Sequence, residues 1–155
     1  GTRATPTKPP ARPAEDASSP AMTSAREVKA ARGVCPYERG ETVALSRGSV
    51  NYRLEGPEGA PVVVLLHGLN ASLASFTVLG EAFHARGWRT LTYDMYGFGL
   101  SASPQGRFAP ALYVEQLREL LDALVPPAPV FLVGYCMGGL VATEFALQHR
   151  ARVAR

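Results

Sequence analysis

The sequence predicts an α/β fold in which helices pack on a parallel β-sheet, and two observations support this prediction. After residue 41, short apolar segments typical of strands alternate with longer segments whose apolar residues recur at helical spacing. The segment Val62–Leu66 is apolar throughout, as in a strand buried on both faces of a parallel sheet. Strands that alternate with helices are joined by right-handed crossovers, so we expect a β-hairpin followed by a parallel βαβαβα unit.

The individual elements follow in order from residue 41. Residues 42–46 and 49–55 predict the two strands of the hairpin, with a turn at Arg47 and Gly48. Three strand–helix pairs come next. The strands are predicted at 62–66, 88–93 and 130–133, and the helices that follow them at 72–87, 110–124 and 136–148, respectively. We expect the strand at 130–133 to be buried like the first. The apolar faces of the first two helices carry Leu73, Phe76, Leu79 and Phe83, and Tyr113, Leu117, Leu120 and Leu124.

Residues 1–40 differ in composition from the folded part, residues 41–155. The first 25 residues are rich in Pro, Ala, Ser and Thr and contain few aliphatic side chains. Their burial could not offset the conformational entropy lost on ordering, so we expect residues 1–40 to be a disordered leader and linker. This leader lacks the apolar core of a secretory signal, and Glu15 and Asp16 argue against a transit peptide.

Composition and charge exclude several classes of protein. The chain has 155 residues and a net charge of +3, but residues 1–40 hold seven basic and four acidic side chains, and residues 41–155 hold nine of each. A neutral folded part without a basic stripe argues against nucleic-acid binding. No apolar run is long enough for a transmembrane helix. Two cysteines are too few for a disulfide framework, so we expect a cytoplasmic location and leave the oligomeric state open.

The chemically informative segment is residues 133–139, VGYCMGG, which follows a predicted strand and opens a helix. Its pattern G-x-C-x-G matches the nucleophile elbow, with Cys136 at the centre. The central residue of an elbow is strained, and Gly134 and Gly138 are small enough to let strand and helix pass closely. Cys136 would lie over a helix N-terminus, whose partial positive charge favours a thiolate. The main-chain N–H of Met137 would point at a developing oxyanion.

The chain resembles the α/β-hydrolase superfamily over residues 42–155, because three motifs occur in the family's order at predicted strand ends. They are HGLN at 67–70, DMYGFGLS at 94–101 and the elbow at 134–139. The resemblance implies that Leu69 donates the second oxyanion-hole N–H. It implies supporting roles for His67 and Gly68 in the oxyanion loop and for Asp94 in a glycine-rich turn.

Cys136 stands where most members of this family have Ser. Dienelactone hydrolases are similar in carrying an elbow of the form G-Y-C-x-G-G, whereas His67 and the turn at 94–101 are closer to the esterase, lipase and peptidase-like members. Cysteine is a competent acyl nucleophile, so the resemblance implies hydrolysis of a carboxylic ester or related acyl bond. Three alternatives stay open: an acyltransferase on the same scaffold, a non-catalytic binding scaffold and a redox-sensitive thiol protein.

The family's pattern places the acid and the histidine of the triad after the nucleophile. Here only His149 follows Cys136, and the intervening helix separates them by roughly 20 Å, far beyond hydrogen-bond reach. We therefore expect an N-terminal fragment, inactive alone, with the acid, the histidine and any lid beyond Arg155. The expected partner is a small-molecule acyl substrate. No metal or other cofactor is expected, because no ligand cluster has metal spacing.

Overall fold

The computed structural model describes residues 39–106 and 109–154, which form a five-stranded mixed sheet with helices on both faces. The strands are β1 (Glu41–Leu45), β2 (Gly48–Glu55), β3 (Val62–Leu66), β4 (Arg89–Tyr93) and β5 (Phe131–Gly134). The helices are a 3₁₀ turn (Leu73–Phe76), α1 (Thr77–His84), α2 (Pro110–Leu124), α3 (Met137–Gln148) and a second 3₁₀ turn (Arg150–Arg152). Nearly all of the predicted leader, residues 1–38, lies outside the described residues. None of the helices in the described part is long and apolar enough to cross a membrane.

The order of strands in the sheet is β1-β2-β4-β3-β5. β1 and β2 form the antiparallel hairpin, β2 pairs antiparallel with β4, and β3 pairs parallel with both β4 and β5. This arrangement confirms the α/β class and the hairpin followed by parallel strands. Because β3 is the centre of the three parallel strands, the loops that follow β3, β4 and β5 meet at one edge of the sheet.

β3 separates two cores. Its even-numbered residues pack with side chains of α2 and α3, such as Leu117 and Phe145. Its odd-numbered residues, Val63 and Leu65, pack with Phe76 on the side of α1. All five residues of β3 are buried, so the expectation of a strand covered on both faces is confirmed.

Two expectations about burial are wrong. β5 lies last in the strand order, and Phe131 and Val133 are 37% and 38% exposed along a groove of about 440 Å³. In the described part of the chain, the contact beyond β5 is a single parallel bridge from Val130 to Val153. The second expectation concerns Leu79, which belongs to the predicted apolar face of the first helix but is 40% exposed. The segment before it forms a 3₁₀ turn of three residues per turn, which changes the phase of the apolar stripe as the chain enters α1.

Candidate functional site

Cys136 joins the end of β5 to the start of α3 and has φ 54° and ψ −119°. A positive φ is strained for a residue with a Cβ, and such strain persists only where the surrounding packing enforces it. The thiol is exposed and forms no disulfide. Cys136 is therefore presented to solvent on a strained strand-to-helix turn.

Close approach of three backbone segments enforces this turn. A Cβ on Gly138 would lie 2.1 Å from the carbonyl oxygen of Leu66, and a Cβ on Gly134 would lie 2.4 Å from that of Gly138. The Tyr135 N–H donates to the Leu66 carbonyl at 3.0 Å. Side chains at positions 134 and 138 would force β3, β5 and α3 apart, because backbone atoms cannot move aside individually.

The loop after β3, residues 67–73, lies against the elbow. A Cβ on Gly68 would be 3.0 Å from the Cys136 Cβ and 3.0 Å from the Tyr135 ring, so a larger residue would push the loop away. Among the described residues, the main-chain N–H groups of Leu69 and Met137 donate no hydrogen bond. Free N–H groups next to an exposed thiol can stabilise negative charge that develops there.

His67 is buried, and both of its ring nitrogens are occupied. The Met95 N–H donates to Nε2 at 3.0 Å, so the ring proton is on Nδ1, which donates to the Gly68 carbonyl at 2.7 Å. Burial lowers the pKa of His67, although the Gly68 carbonyl and the charge of Asp94 act in the opposite direction. The histidine is therefore a neutral part of the loop and has no free nitrogen with which to take a proton from Cys136.

The lowered pKa of His67 predicts that acid destabilises the fold. Above about pH 6.5, His67 is neutral in both the folded and the unfolded chain, and its contribution to stability is fully present. As the pH falls below that value, His67 becomes protonated in the unfolded chain but stays neutral in the folded chain. The free energy of unfolding therefore falls by at most about 1.4 kcal/mol per pH unit. Denaturant titrations between about pH 7.5 and 5 measure this slope.

Variants of each histidine assign that slope. His67→Gln should lose it, and His84→Gln and His149→Gln are the comparison variants. An unchanged slope in His67→Gln would contradict the assignment to His67.

Asp94, directly after β4, is fully buried and accepts hydrogen bonds on both carboxylate oxygens. The Leu73 N–H donates to Oδ1 at 2.8 Å, and the side chain of Asn51 and the Leu100 N–H donate to Oδ2 at 2.8 and 2.7 Å. A buried carboxylate is tolerated where such donors replace its water. Asp94 thus connects β2, the 67–73 loop and the turn at 94–101.

Two further buried polar residues of this network, Gln116 and Asn51, were not found from the sequence. Gln116 of α2 donates to the Asp94 carbonyl at 3.1 Å and accepts from the Tyr96 N–H at 3.0 Å. Asn51 lies in the middle of β2. A signal existed for Gln116, because it lies three residues after Tyr113 on the apolar face of its helix. A polar residue on such a face must find buried partners.

The other histidines do not reach the elbow. His84 contacts Thr90 through Nε2 at 2.8 Å, and the ring of His149, at the far end of α3, packs on Phe145. The structure therefore brings Cys136 and its neighbour Met137 together with Gly68, the residue before Leu69, but, among the described residues, with no base. Within residues 39–106 and 109–154, no three His, Cys, Asp or Glu side chains cluster as a metal site would require.

Several known proteins are similar to this chain. Residues 61–155 match a family model described as alpha/beta hydrolase fold. The chain is 37% identical over 107 residues to the sn-1-specific diacylglycerol lipase ABHD11 of Mus musculus, covering 66% of this chain and 33% of the lipase. It is 38% identical over 98 residues to the 2-succinyl-6-hydroxy-2,4-cyclohexadiene-1-carboxylate synthase of Salmonella paratyphi C, covering 61% of this chain and 36% of the synthase.

Solved structures show the same architecture. The enol-lactonase from Burkholderia xenovorans matches with a TM-score of 0.69 and 28% identity, over 74% of this chain and 44% of the lactonase. The chain spans less than half the length of each of these relatives.

Proposed function

Because the chain belongs to the alpha/beta hydrolase fold family, we propose that Cys136 is the nucleophile of a hydrolase that cleaves carboxylic ester or related acyl bonds. Two of the proteins that it resembles are named as a lipase and an enol-lactonase. One observation carries the proposal: the only described cysteine is exposed at positive φ on the strand-to-helix turn and lies against Gly68. Among the described residues, the N–H groups of its neighbour Met137 and of Leu69, the neighbour of Gly68, donate no hydrogen bond.

In the proposed first step, the Cys136 thiolate attacks the carbonyl carbon of the ester. A C–S bond forms, and the π-electron pair of the carbonyl moves onto its oxygen. The N–H groups of Leu69 and Met137 stabilise this oxyanion. When the oxyanion collapses, the C–O bond breaks, the alkoxide leaves with the electron pair and takes up a proton, and a thioester remains on Cys136.

The second step, attack of water on the thioester, needs a base that the described residues do not place at Cys136. In this proposal the base, with the acid that orients it, lies outside the described residues; the chain spans 33% of the lipase and 44% of the enol-lactonase. His67, Gly68, Gly134, Gly138 and Asp94 have supporting roles in this proposal.

Acylation of Cys136 can be tested without the second step. The protein is treated with p-nitrophenyl acetate and, separately, with iodoacetamide, and the rate of modification of Cys136 is followed by mass spectrometry of its peptide. Acylation forms an oxyanion, but alkylation does not. The ratio of the acylation rate to the alkylation rate should therefore exceed that of glutathione by about 100-fold, the size of one oxyanion-hole contact.

Two controls complete the test. Cys136→Ala should abolish acylation of this peptide and leave the modification of Cys35 unchanged. If the ratio for Cys136 equals that for glutathione, there is no oxyanion stabilisation and the proposal fails. A thiol of that kind would fit a redox-sensitive protein, and a thiol inert to both reagents would fit a binding scaffold.

A further inference from the structure

We infer that the two residues directly after β4, Asp94 and Met95, position the oxyanion donor of Leu69 by holding the 67–73 loop at both of its ends. The inference rests on the proposed function of Cys136. Among the described residues neither is hydrogen-bonded to Cys136, so both would act on the reaction through the loop. Asp94 is accordingly a positioning residue.

The start of the loop is fixed by the hydrogen bonds of His67. The Met95 N–H donates to His67 Nε2 at 3.0 Å, and this bond leaves the proton on Nδ1, which donates to the Gly68 carbonyl at 2.7 Å. In a trans peptide, the carbonyl of one residue and the N–H of the next point in opposite directions. A hydrogen bond that orients the Gly68 carbonyl therefore also orients the Leu69 N–H.

The end of the loop is fixed by a hydrogen bond to Asp94. The Leu73 N–H donates to Oδ1 of Asp94 at 2.8 Å. Oδ2 is held separately by Asn51 and Leu100, so the carboxylate cannot rotate to follow the loop. A hydrogen bond to a charged acceptor is about twice as strong as one between neutral groups.

The middle of the loop has little to hold it in place. The side chain of Leu69 is 59% exposed, and Asn70 adopts a positive φ of 55°. A strained conformation persists only where its surroundings determine it. With its central side chain largely in solvent, the loop depends on its two ends to keep Gly68 against Cys136.

The variant Asp94→Asn selectively tests the hydrogen bond from the Leu73 N–H to Asp94 at the end of the loop. An asparagine has one oxygen and one NH₂ group in place of two oxygens. With its oxygen toward Asn51 and Leu100 it retains two hydrogen bonds, whereas the opposite orientation retains only the bond from Leu73. The first orientation is therefore favoured, and it turns an NH₂ group toward the Leu73 N–H.

We expect Asp94→Asn to lower the ratio of Cys136 acylation to alkylation about tenfold, a partial loss of one oxyanion contact. Alkylation itself should keep its rate, because it does not use the Leu69 N–H. The matched control is Thr90→Val, four residues before Asp94 in the chain, which removes a partly buried side-chain hydrogen bond of β4, that to His84. A merely structural effect would lower stability in both variants without changing the ratio in either.

The outcomes separate the two proposals. If the wild-type ratio equals that of glutathione, the proposed function fails, and this inference fails with it. If the wild-type ratio is high and Asp94→Asn retains it, the inference alone fails. If Asp94→Asn does not fold, Asn51→Ala replaces it, because it keeps the carboxylate but removes one donor that holds it. That variant should lower the ratio by a smaller factor, and an unchanged ratio would overturn the inference.

Discussion

The substitution Gly138→Ala is expected to prevent the chain from reaching its native fold. The added Cβ would lie 2.1 Å from the carbonyl oxygen of Leu66 and 2.6 Å from that of His67. Both oxygens belong to the backbone at the end of β3, so relief requires α3 to move away from the sheet. We expect a loss of about 4 kcal/mol or more, a large fraction of the stability of an ordinary domain. Circular dichroism during thermal unfolding measures the effect.

The next residue provides a matched control. A Cβ on Gly139 would lie 3.4 Å from the nearest atom, the Gly134 carbonyl oxygen, at the edge of ordinary contact. Alanine is also favoured over glycine within a helix by about 1 kcal/mol. Gly139→Ala should therefore leave stability unchanged or raise it. Equal melting temperatures for the two variants would show that the elbow tolerates separation of strand and helix.

Gly99→Ala is expected to have the second-largest effect. Gly99 has φ +47°, and its Cβ would lie 2.0 Å from Oδ2 of Asp94. The carboxylate would have to leave the position in which Asn51 and Leu100 bind it. Each lost hydrogen bond to a charged group costs about 1.5–3 kcal/mol, so we expect a loss of about 4 kcal/mol in the free energy of unfolding, measured by denaturant titration.

Gly87→Ala separates the cost of displacing the Asp94 carboxylate from the cost of backbone strain at a positive φ. Gly87 has a positive φ of +77°, but no atom lies within 4 Å of the position that an added Cβ would take. Alanine there should cost only the conformational strain, about 1–2 kcal/mol. If Gly99→Ala costs no more than Gly87→Ala, then the contact with Asp94 does not determine the need for glycine at position 99.

Local patterns made most of the fold predictable. The unbroken apolar run of β3 and the Pro110 that opens α2 mark their elements directly, because strand burial and the first turn of a helix each select residue types. The errors came where one element meets another. The exposure of Phe131 and Val133 depends on the place of β5 in the sheet, and a run of apolar residues carries no information about that place.

In the candidate site, too, the local spacing was predictable from the sequence and the contacts between distant segments were not. The spacing of Gly134, Cys136 and Gly138 predicted a strained turn, and the structure shows Cys136 at positive φ there. The roles of these residues in catalysis remain proposals. By contrast, no spacing indicated that Asn51 and Leu73 would both donate to Asp94, from which they are separated by 43 and 21 residues.

By itself, the sequence determined the alternation of strands and helices, the position of the elbow and the cysteine at its centre. These features depend on a few consecutive residues, because backbone sterics and helix initiation act over short distances along the chain. The tertiary structure alone decided that Phe131 and Val133 are exposed, that His67 is held neutral, and that Asp94 connects three segments. Hydrogen bonds and burial depend on distances in space between segments far apart in sequence, and those distances exist only after the sheet has assembled.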